Sequence, residues 1–353
     1  MPLLHRPTVF TSLAATTRAS SVKKCCRIGP DRLVHVRSYT VALSGYRTLQ
    51  TTASAYRAEP IINSIYEPKT GTWQYIVADP STKAAVIIDP VLDYDPATQE
   101  ISTHTADELL SLIEREGYAV SMILETHAHA DHLTAASYLQ ARLARMQGQE
   151  QRPPIGIGAH INKVQELFGQ RYGIPEEEYT GVFERLFADN EVFNIGSLSG
   201  TAIHVPGHTP DHMGYMIGDN IFAGDSIFHL DLGTARTDFP GGDAASLFHS
   251  ARRLLDYPEH VKIWVGHDYP STTREAPVPC MSVGEHRQKN KHLKLGVGEE
   301  EFVKMRNDRD KGLPSPKLIH PALQVNVRGG RLPRTQGGLR TLRIPVRVKG
   351  VEW

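Results

Sequence analysis

Four potential metal ligands fall within seven residues in Thr126-His-Ala-His-Ala-Asp-His132, namely His127, His129, Asp131 and His132. Imidazole and carboxylate groups hold divalent transition metals, and three imidazoles this close together read as a metal site. A solvated charge run would carry Lys or Glu, and a core histidine is normally single and satisfied by one partner. Further candidates follow along the chain: His208 in Val205-Pro-Gly-His-Thr-Pro, Asp225 in Ile221-Phe-Ala-Gly-Asp, and His267 in Ile263-Trp-Val-Gly-His-Asp-Tyr269. A His/Asp set of this size can serve an open metal, either activating a water or admitting an oxidisable substrate beside dioxygen.

The elements that must position these residues are legible around them. Each candidate stands just after a short apolar run that reads as a buried strand, usually with Gly or Pro-Gly between the two. Side chains just past the ends of neighbouring strands converge on one edge of a sheet, and glycine lets the backbone turn sharply there. Upstream, Thr72–Ala78 and Ala84–Asp89 read as two strands joined by a Pro-Ser-Thr-Lys turn. Thr105–Glu116 reads as an amphipathic helix with Leu109, Leu110, Leu112 and Ile113 on its apolar face. A strand over Ala119–Leu124 and a helix from about Leu133 to Met146 follow, and the alternation at Leu339–Pro345 predicts a final strand. Alternating strands and helices over residues 59–353 predict one α/β domain with a C-terminal extension.

Composition narrows the function classes. The 353 residues are 40% hydrophobic with formal net charge zero and a pI near 7.3, so charge implies attraction neither to nucleic acid nor to a membrane surface. No apolar run approaches the roughly 18 residues that span a bilayer. Three cysteines, Cys25, Cys26 and Cys280, make no disulfide framework and fit a reducing compartment. Residues 1–58 differ from the rest: nine Lys or Arg stand against the single acid Asp31, amid many Ser, Thr and Ala. An Arg-rich, Ser-rich, acid-poor leader is the composition of a mitochondrial transit peptide, with a plain basic disordered extension as the alternative.

The ordered set His127-x-His129-x-Asp131-His132, His208, Asp225 and His267 resembles the metallo-β-lactamase superfamily, which implies an αββα sandwich with metals at one edge. That fold hosts hydrolases, nucleases and oxidoreductases, so the loops must decide between them. Arg236-Thr-Asp-Phe239 and His267-Asp-Tyr269 resemble the persulfide dioxygenases (sulfur dioxygenases). Gly233–Arg236, Asp238–Asp243 and Leu323–Asn326 resemble the bacterial β-lactamase-hydrolase-like branch more closely. The resemblance implies one Fe(II) per chain held by His127, His208 and Asp225, a two-histidine, one-carboxylate face with three positions open. His129, Asp131, His132 and His267 would then orient the ligands and hydrogen-bond water or substrate. It implies oxidation of glutathione persulfide by dioxygen to sulfite and glutathione in the mitochondrial matrix, with no nucleic acid and no membrane as partner; a homodimer is left open.

The alternative is a glyoxalase II-like hydrolase with two Zn(II). His127, His129 and His208 would hold the first ion, Asp131, His132 and His267 the second, and Asp225 would bridge them to activate water on a thioester. The loop from Asp225 to Arg236 and the tail after Glu285 depart from that family. For the substrate, Arg236 is the expected carboxylate anchor, with an ion pair to Asp238 or Asp243 as its structural alternative. Tyr269 is the expected hydrogen-bond donor near the reacting sulfur, with a packed rim aromatic as its alternative. Thr234 and Ala235 stand where animal-type members carry a cysteine. His249, His286, His292 and His320 read as ordinary polar residues, and Cys280 as a small buried hydrophobe.

Overall fold

The second and third strands are apolar at almost every position, as a sheet covered on both faces requires, with successive side chains pointing to opposite faces. β1 (Ile61–Glu67), β2 (Thr72–Ala78) and β3 (Ala84–Ile88) pair antiparallel. Trp73, Tyr75, Val77, Val86 and Ile88 face a core between two sheets, while Ile76, Ala78, Ala85 and Ile87 face the opposite way, under helices. The structure is a computed structural model that describes residues 59–270, 274–335 and 337–346. The leader expected over residues 1–58 lies outside them.

β4 (Val91–Asp95) and β5 (Glu100–Ser102) form a small antiparallel pair ahead of α1 (His104–Glu116). Leu109, Leu110 and Ile113 are buried on that helix, which stops at Gly117 in the left-handed conformation. β6 (Ala119–Leu124) returns parallel to β3. After the cluster of histidines come β7 (Leu133–Thr134), paired with β4, and α2 (Ala136–Gln147). The helix expected from Leu133 therefore starts three residues later. Leu133 and Thr134 are extended because β4 takes them up in a ladder and Asn326 accepts the Thr134 N–H at 2.9 Å.

β8 (Ile155–Gly158), α3 (Ile161–Tyr172) and β9 (Arg185–Phe187) complete the first sheet, in the order β1-β2-β3-β6-β8-β9. The second sheet runs in chain order: β10 (Glu191–Ile195), β11 (Leu198–His204), β12 (Met213–Ile217), β13 (Asn220–Phe222), β14 (Lys262–Trp264) and β15 (Cys280–Ser282). Its neighbours are antiparallel except β13 and β14, which are parallel because α4 (Ala244–Leu255) crosses between them. α5 (Val283–Lys289), α6 (Glu299–Asp310) and α7 (Ile319–Asn326) follow.

The result is the αββα sandwich. Leu109, Leu139, Phe168 and Leu323 pack on the outer face of the first sheet with Ile76, Ile87 and Ile123. Leu247, Leu254 and Phe302 pack on the outer face of the second with Ile203, Ile221 and Ile263. No described helix is long and apolar enough to cross a membrane. The strand expected at Leu339–Pro345 does not form. Its backbone is met by side chains instead: Gln324 on α7 accepts the Arg343 N–H and donates to the Arg343 carbonyl, each at 2.8 Å.

Candidate metal centre

His127 follows β6, His208 follows β11, Asp225 follows β13 and His267 follows β14, so four strand ends deliver ligands to one edge of the sandwich. Two glycines permit the close approach. Gly224 has φ +48°, and a Cβ there would lie 2.6 Å from the Thr126 hydroxyl oxygen; a Cβ on Gly266 would lie 2.5 Å from Asp225 Oδ1.

Hydrogen bonds fix which imidazole nitrogen is free. Thr126 donates its hydroxyl proton to Asp89 Oδ2 at 2.8 Å, so the same oxygen accepts from His127 Nδ1 at 2.9 Å. That leaves His127 Nε2 as a bare lone pair, buried and without a hydrogen-bond partner. His208 donates from Nδ1 to the Arg236 carbonyl at 2.7 Å, which frees its Nε2, 3.7 Å from Asp225 Oδ2. Asp225 is oriented by its own N–H, which donates to His212 Nε2 at 2.9 Å, and its Oδ1 is buried without a partner. Ligand atoms of His127, His208 and Asp225 lie within 4.8 Å of one another. Two donors each roughly 2.1 Å from one ion stand about 3 to 3.6 Å apart, so this group is close to ligating distance. The His and Asp residues make a metal-binding site.

The remaining candidates surround that group, and ligand atoms of His129, Asp131 and His132, and of Asp131, Asp225 and His267, also lie within 4.8 Å of one another. His267 Nε2 is 3.1 Å from Asp131 Oδ2 and His132 Nδ1 is 3.3 Å from the same oxygen. His267 Nε2 also stands 3.6 Å from Asp225 Oδ1, so Asp225 lies between the two groups. His129 directs Nε2 at Asp89 (3.1 Å) and Glu125 (3.2 Å), leaving Nδ1 buried and unpartnered, as is His132 Nε2.

Electrostatics follow burial and neighbours. Burial holds the His127 pKa well below its ordinary value, helped by the nearby imidazoles His129, His212 and His208, so the ring stays neutral and able to ligate. Burial does the same to His212, whose ring stacks on His127 at 4.7 Å. His129 goes the other way: burial opposes its charge, but Asp89 and Glu125 outweigh it and raise its pKa well above the usual value. Burial also opposes the charge of His267, and Asp225 and Asp131 outweigh it.

The candidate substrate residues behave unequally. Arg236, expected to anchor a carboxylate, has its fork closed on Asp238, Nε to Oδ1 and Nη2 to Oδ2 at 2.5 Å each, and gives Nη1 to the Pro314 carbonyl at 2.9 Å. The ion pair weighed as its structural alternative is thus present in this structure, and the tie of Arg236 to the centre runs through its backbone carbonyl. Tyr269 stacks parallel on His267 at 5.9 Å, and its pKa is held well above the usual phenol value by burial and then by Asp131 and Asp225. Its ring stands at the rim of the site, 49% exposed. A cavity of about 770 Å³ opens over Asp131, His208 and Asp225. Phe228, Leu232 and Leu318 supply apolar wall, and Lys69, Arg309 and Lys317 bring exposed cations to it.

Sequence reasoning passed over Asp89, Glu125, His212 and Asn326, all buried against the site. His212 carried a signal, since Asp211-His212 directly follows the Gly-His-Thr-Pro element and precedes β12. Asp89 ends a strand in Ile87-Ile-Asp89 just as Asp225 follows one. His292, read as ordinary, in fact accepts the Thr234 N–H at 3.2 Å, and burial holds its pKa down to about 4. His249 is an exposed partner of Glu299, as a bland reading implies. Burial raises the Cys280 thiol pKa.

With that geometry in place, the family model described as the metallo-beta-lactamase superfamily matches residues 68–267. The chain belongs to the metallo-β-lactamase superfamily. Among relatives, it is similar to the "Beta-lactamase hydrolase-like protein" of Xylella fastidiosa, 43% identical over 83% of this chain and 67% of the relative. "Glyoxylase B2" of Dictyostelium discoideum is 40% identical over 79% of this chain and 94% of its own. "Persulfide dioxygenase ETHE1, mitochondrial" of Mus musculus is 29% identical over 83% and 97%. Among superfamily structures, ETHE1 from Myxococcus xanthus superposes with a TM-score of 0.61 at 25% identity, covering 77% of this chain and all of that one.

Proposed function

We propose that the chain is an iron-dependent persulfide dioxygenase that oxidises glutathione persulfide in the mitochondrial matrix. One observation carries this reading: the two ligand groups are not equivalent. His127 and His208 keep bare Nε2 atoms facing Asp225, whereas Asp131 is engaged by His267 and His132. One face with two imidazoles and one carboxylate suits a single ion with open positions. Similarity to persulfide dioxygenases in sequence and fold supports the same reading. When bound, ferrous iron supplies those positions and the electrons that start dioxygen reduction. The residues do the rest: Lys69, Arg309 and Lys317 offer charge to the carboxylates of the thiol carrier, Tyr269 offers a proton donor at the mouth, and Phe228 and Leu232 exclude water. The balance is one persulfide, one dioxygen and one water giving sulfite, glutathione and two protons; the terminal sulfur loses the four electrons that dioxygen gains.

A dinuclear zinc thioester hydrolase is the second reading. It is favoured by the unpartnered His129 Nδ1 and His132 Nε2, by His267 beside Asp225, and by similarity to a protein named Glyoxylase B2. Supplying glutathione persulfide in an oxygen-electrode cell separates the two. Sulfite formed in equal amount to the oxygen consumed is the expected result; negligible uptake together with rapid cleavage of S-lactoylglutathione would support the hydrolase.

A further inference from the structure

The strap Gly233–Thr237 between β13 and α4 has no regular structure, yet seven of its ten backbone N–H and C=O groups are hydrogen-bonded, Gly233 partly to Phe228 and His229 just before it. The side chains that hold it come from the C-terminal part of the chain. Asn290 donates to the Gly233 carbonyl at 3.2 Å, and His292 accepts the Thr234 N–H at 3.2 Å. Arg306 on α6 donates from Nη1 to the carbonyls of Thr234 (3.1 Å) and Ala235 (2.9 Å) and from Nη2 to Asp310 Oδ1 (2.5 Å). Asp310 accepts both the N–H and the hydroxyl of Thr237, at 2.8 and 3.1 Å. Between these fixed points sits Arg236, whose carbonyl receives His208 Nδ1. At the other side of the centre, Asn326 at the end of α7 donates to the carbonyls of His129 and His132 at 2.8 Å each and accepts the Thr134 N–H.

All of these holders lie beyond residue 267, where the family match ends. We infer that α6 and α7 belong to the metal centre, with Arg306 and Asp310 positioning His208 through the strap and Asn326 positioning the His129–His132 loop. A strap without those bonds regains backbone freedom, and the carbonyl that selects the His208 tautomer no longer has one place. Arg306 and Asp310 are 2% and 5% exposed. Replacing them by apolar side chains leaves the Thr234 and Ala235 carbonyls and the Thr237 N–H without these partners and lowers stability as well, so metal affinity of the folded protein, which a purely structural role would not move, is the separating measurement.

The inference rests on the metal-centre reading above, and the experiment tells the two apart. Two full-length variants are compared with wild type: the double change Arg306→Met and Asp310→Leu, and the single change Asn326→Ala. Fe(II) and Zn(II) affinities are measured anaerobically by competition with a chromophoric chelator, alongside thermal melting of the metal-free proteins. The expected result is a loss of metal affinity on the order of 10- to 100-fold, the usual effect of removing a ligand's supporting hydrogen bonds, in variants whose metal-free form still melts cooperatively, at a lower temperature than wild type. Should the double variant fold poorly, Asn326→Ala carries the same comparison from the opposite side of the site. Wild-type affinity in the variants, with or without a lower melting temperature, overturns the inference and leaves these residues structural. Failure of wild type to hold either metal overturns the metal-centre reading itself.

Discussion

His208 gives its Nδ1 proton to the carbonyl of Arg236 at 2.7 Å, so a candidate ligand is oriented by the backbone of the very residue whose guanidinium was expected at the substrate. The Arg236 side chain meanwhile closes on Asp238 and Pro314. Among the described residues, Lys69, Arg309 and Lys317 line the cavity without an ion pair, which in the proposed reading leaves their charge to a substrate carboxylate.

Removing those cations should therefore matter more than altering Arg236. Lys69→Ala, Arg309→Ala and Lys317→Ala should each raise KM for glutathione persulfide roughly fivefold, the worth of about 1 kcal/mol for an exposed charge pair, with kcat little changed. Arg236→Lys should shift KM by about twofold or less, since its exposed pairing with Asp238 is worth little. Steady-state oxygen uptake ranks the four. A KM effect largest in Arg236→Lys would return that residue to the substrate.

Stability of the metal-free protein should fall in mildly acidic solution. Burial holds His286 and His292 down to about 4, whereas the unfolded chain titrates near about 6.5. Between those values the unfolded chain takes up protons that the folded chain refuses, so stability declines as pH drops from about 6.5 to about 4. His127 and His212 are depressed too and add to the same slope. His129 and His267 are raised, so their contribution is fully present below about 6.5 and fades only as pH rises above it. Melting scans over this window should show the decline, and His286→Gln should flatten part of it. A level melting temperature contradicts these assignments.

The leader carries its own expectation. Residues 1–58, nine-fold cationic with one acid, should direct a fluorescent reporter to mitochondria when fused ahead of it, because import reads positively charged, acid-poor segments. Cytosolic fluorescence would refute the localisation and leave the chemistry untouched.

Much of the site was legible because strand ends and ligands coincide in the sequence. The apolar runs before His127, Asp225 and His267 are β6, β13 and β14, and the two strands expected around the Pro-Ser-Thr-Lys turn are β2 and β3. What escaped reading depends on tertiary contacts. Thr134 is extended because β4 pairs with it and Asn326 accepts its N–H, and Arg343 meets Gln324 in place of a strand. Arg306 and Asp310 sit on a helix with little apolar periodicity, and nothing local shows that their partners are carbonyls and an N–H some 70 residues earlier. For Arg236 the sequence offers both a substrate carboxylate and an acid two residues away as partners, and only geometry shows the fork closed on Asp238 here.

Elemental analysis of anaerobically purified wild-type protein beside Asp225→Asn tests the central claim most directly. Asparagine keeps the shape at position 225 but removes the anionic oxygen that offsets the charge of Fe(II). The account predicts about one iron per wild-type chain, the number a single three-residue face can hold, with loss of most of that iron and of the oxygen-consuming activity together in Asp225→Asn. Two zinc ions per wild-type chain, or full iron retained in the variant, would contradict it.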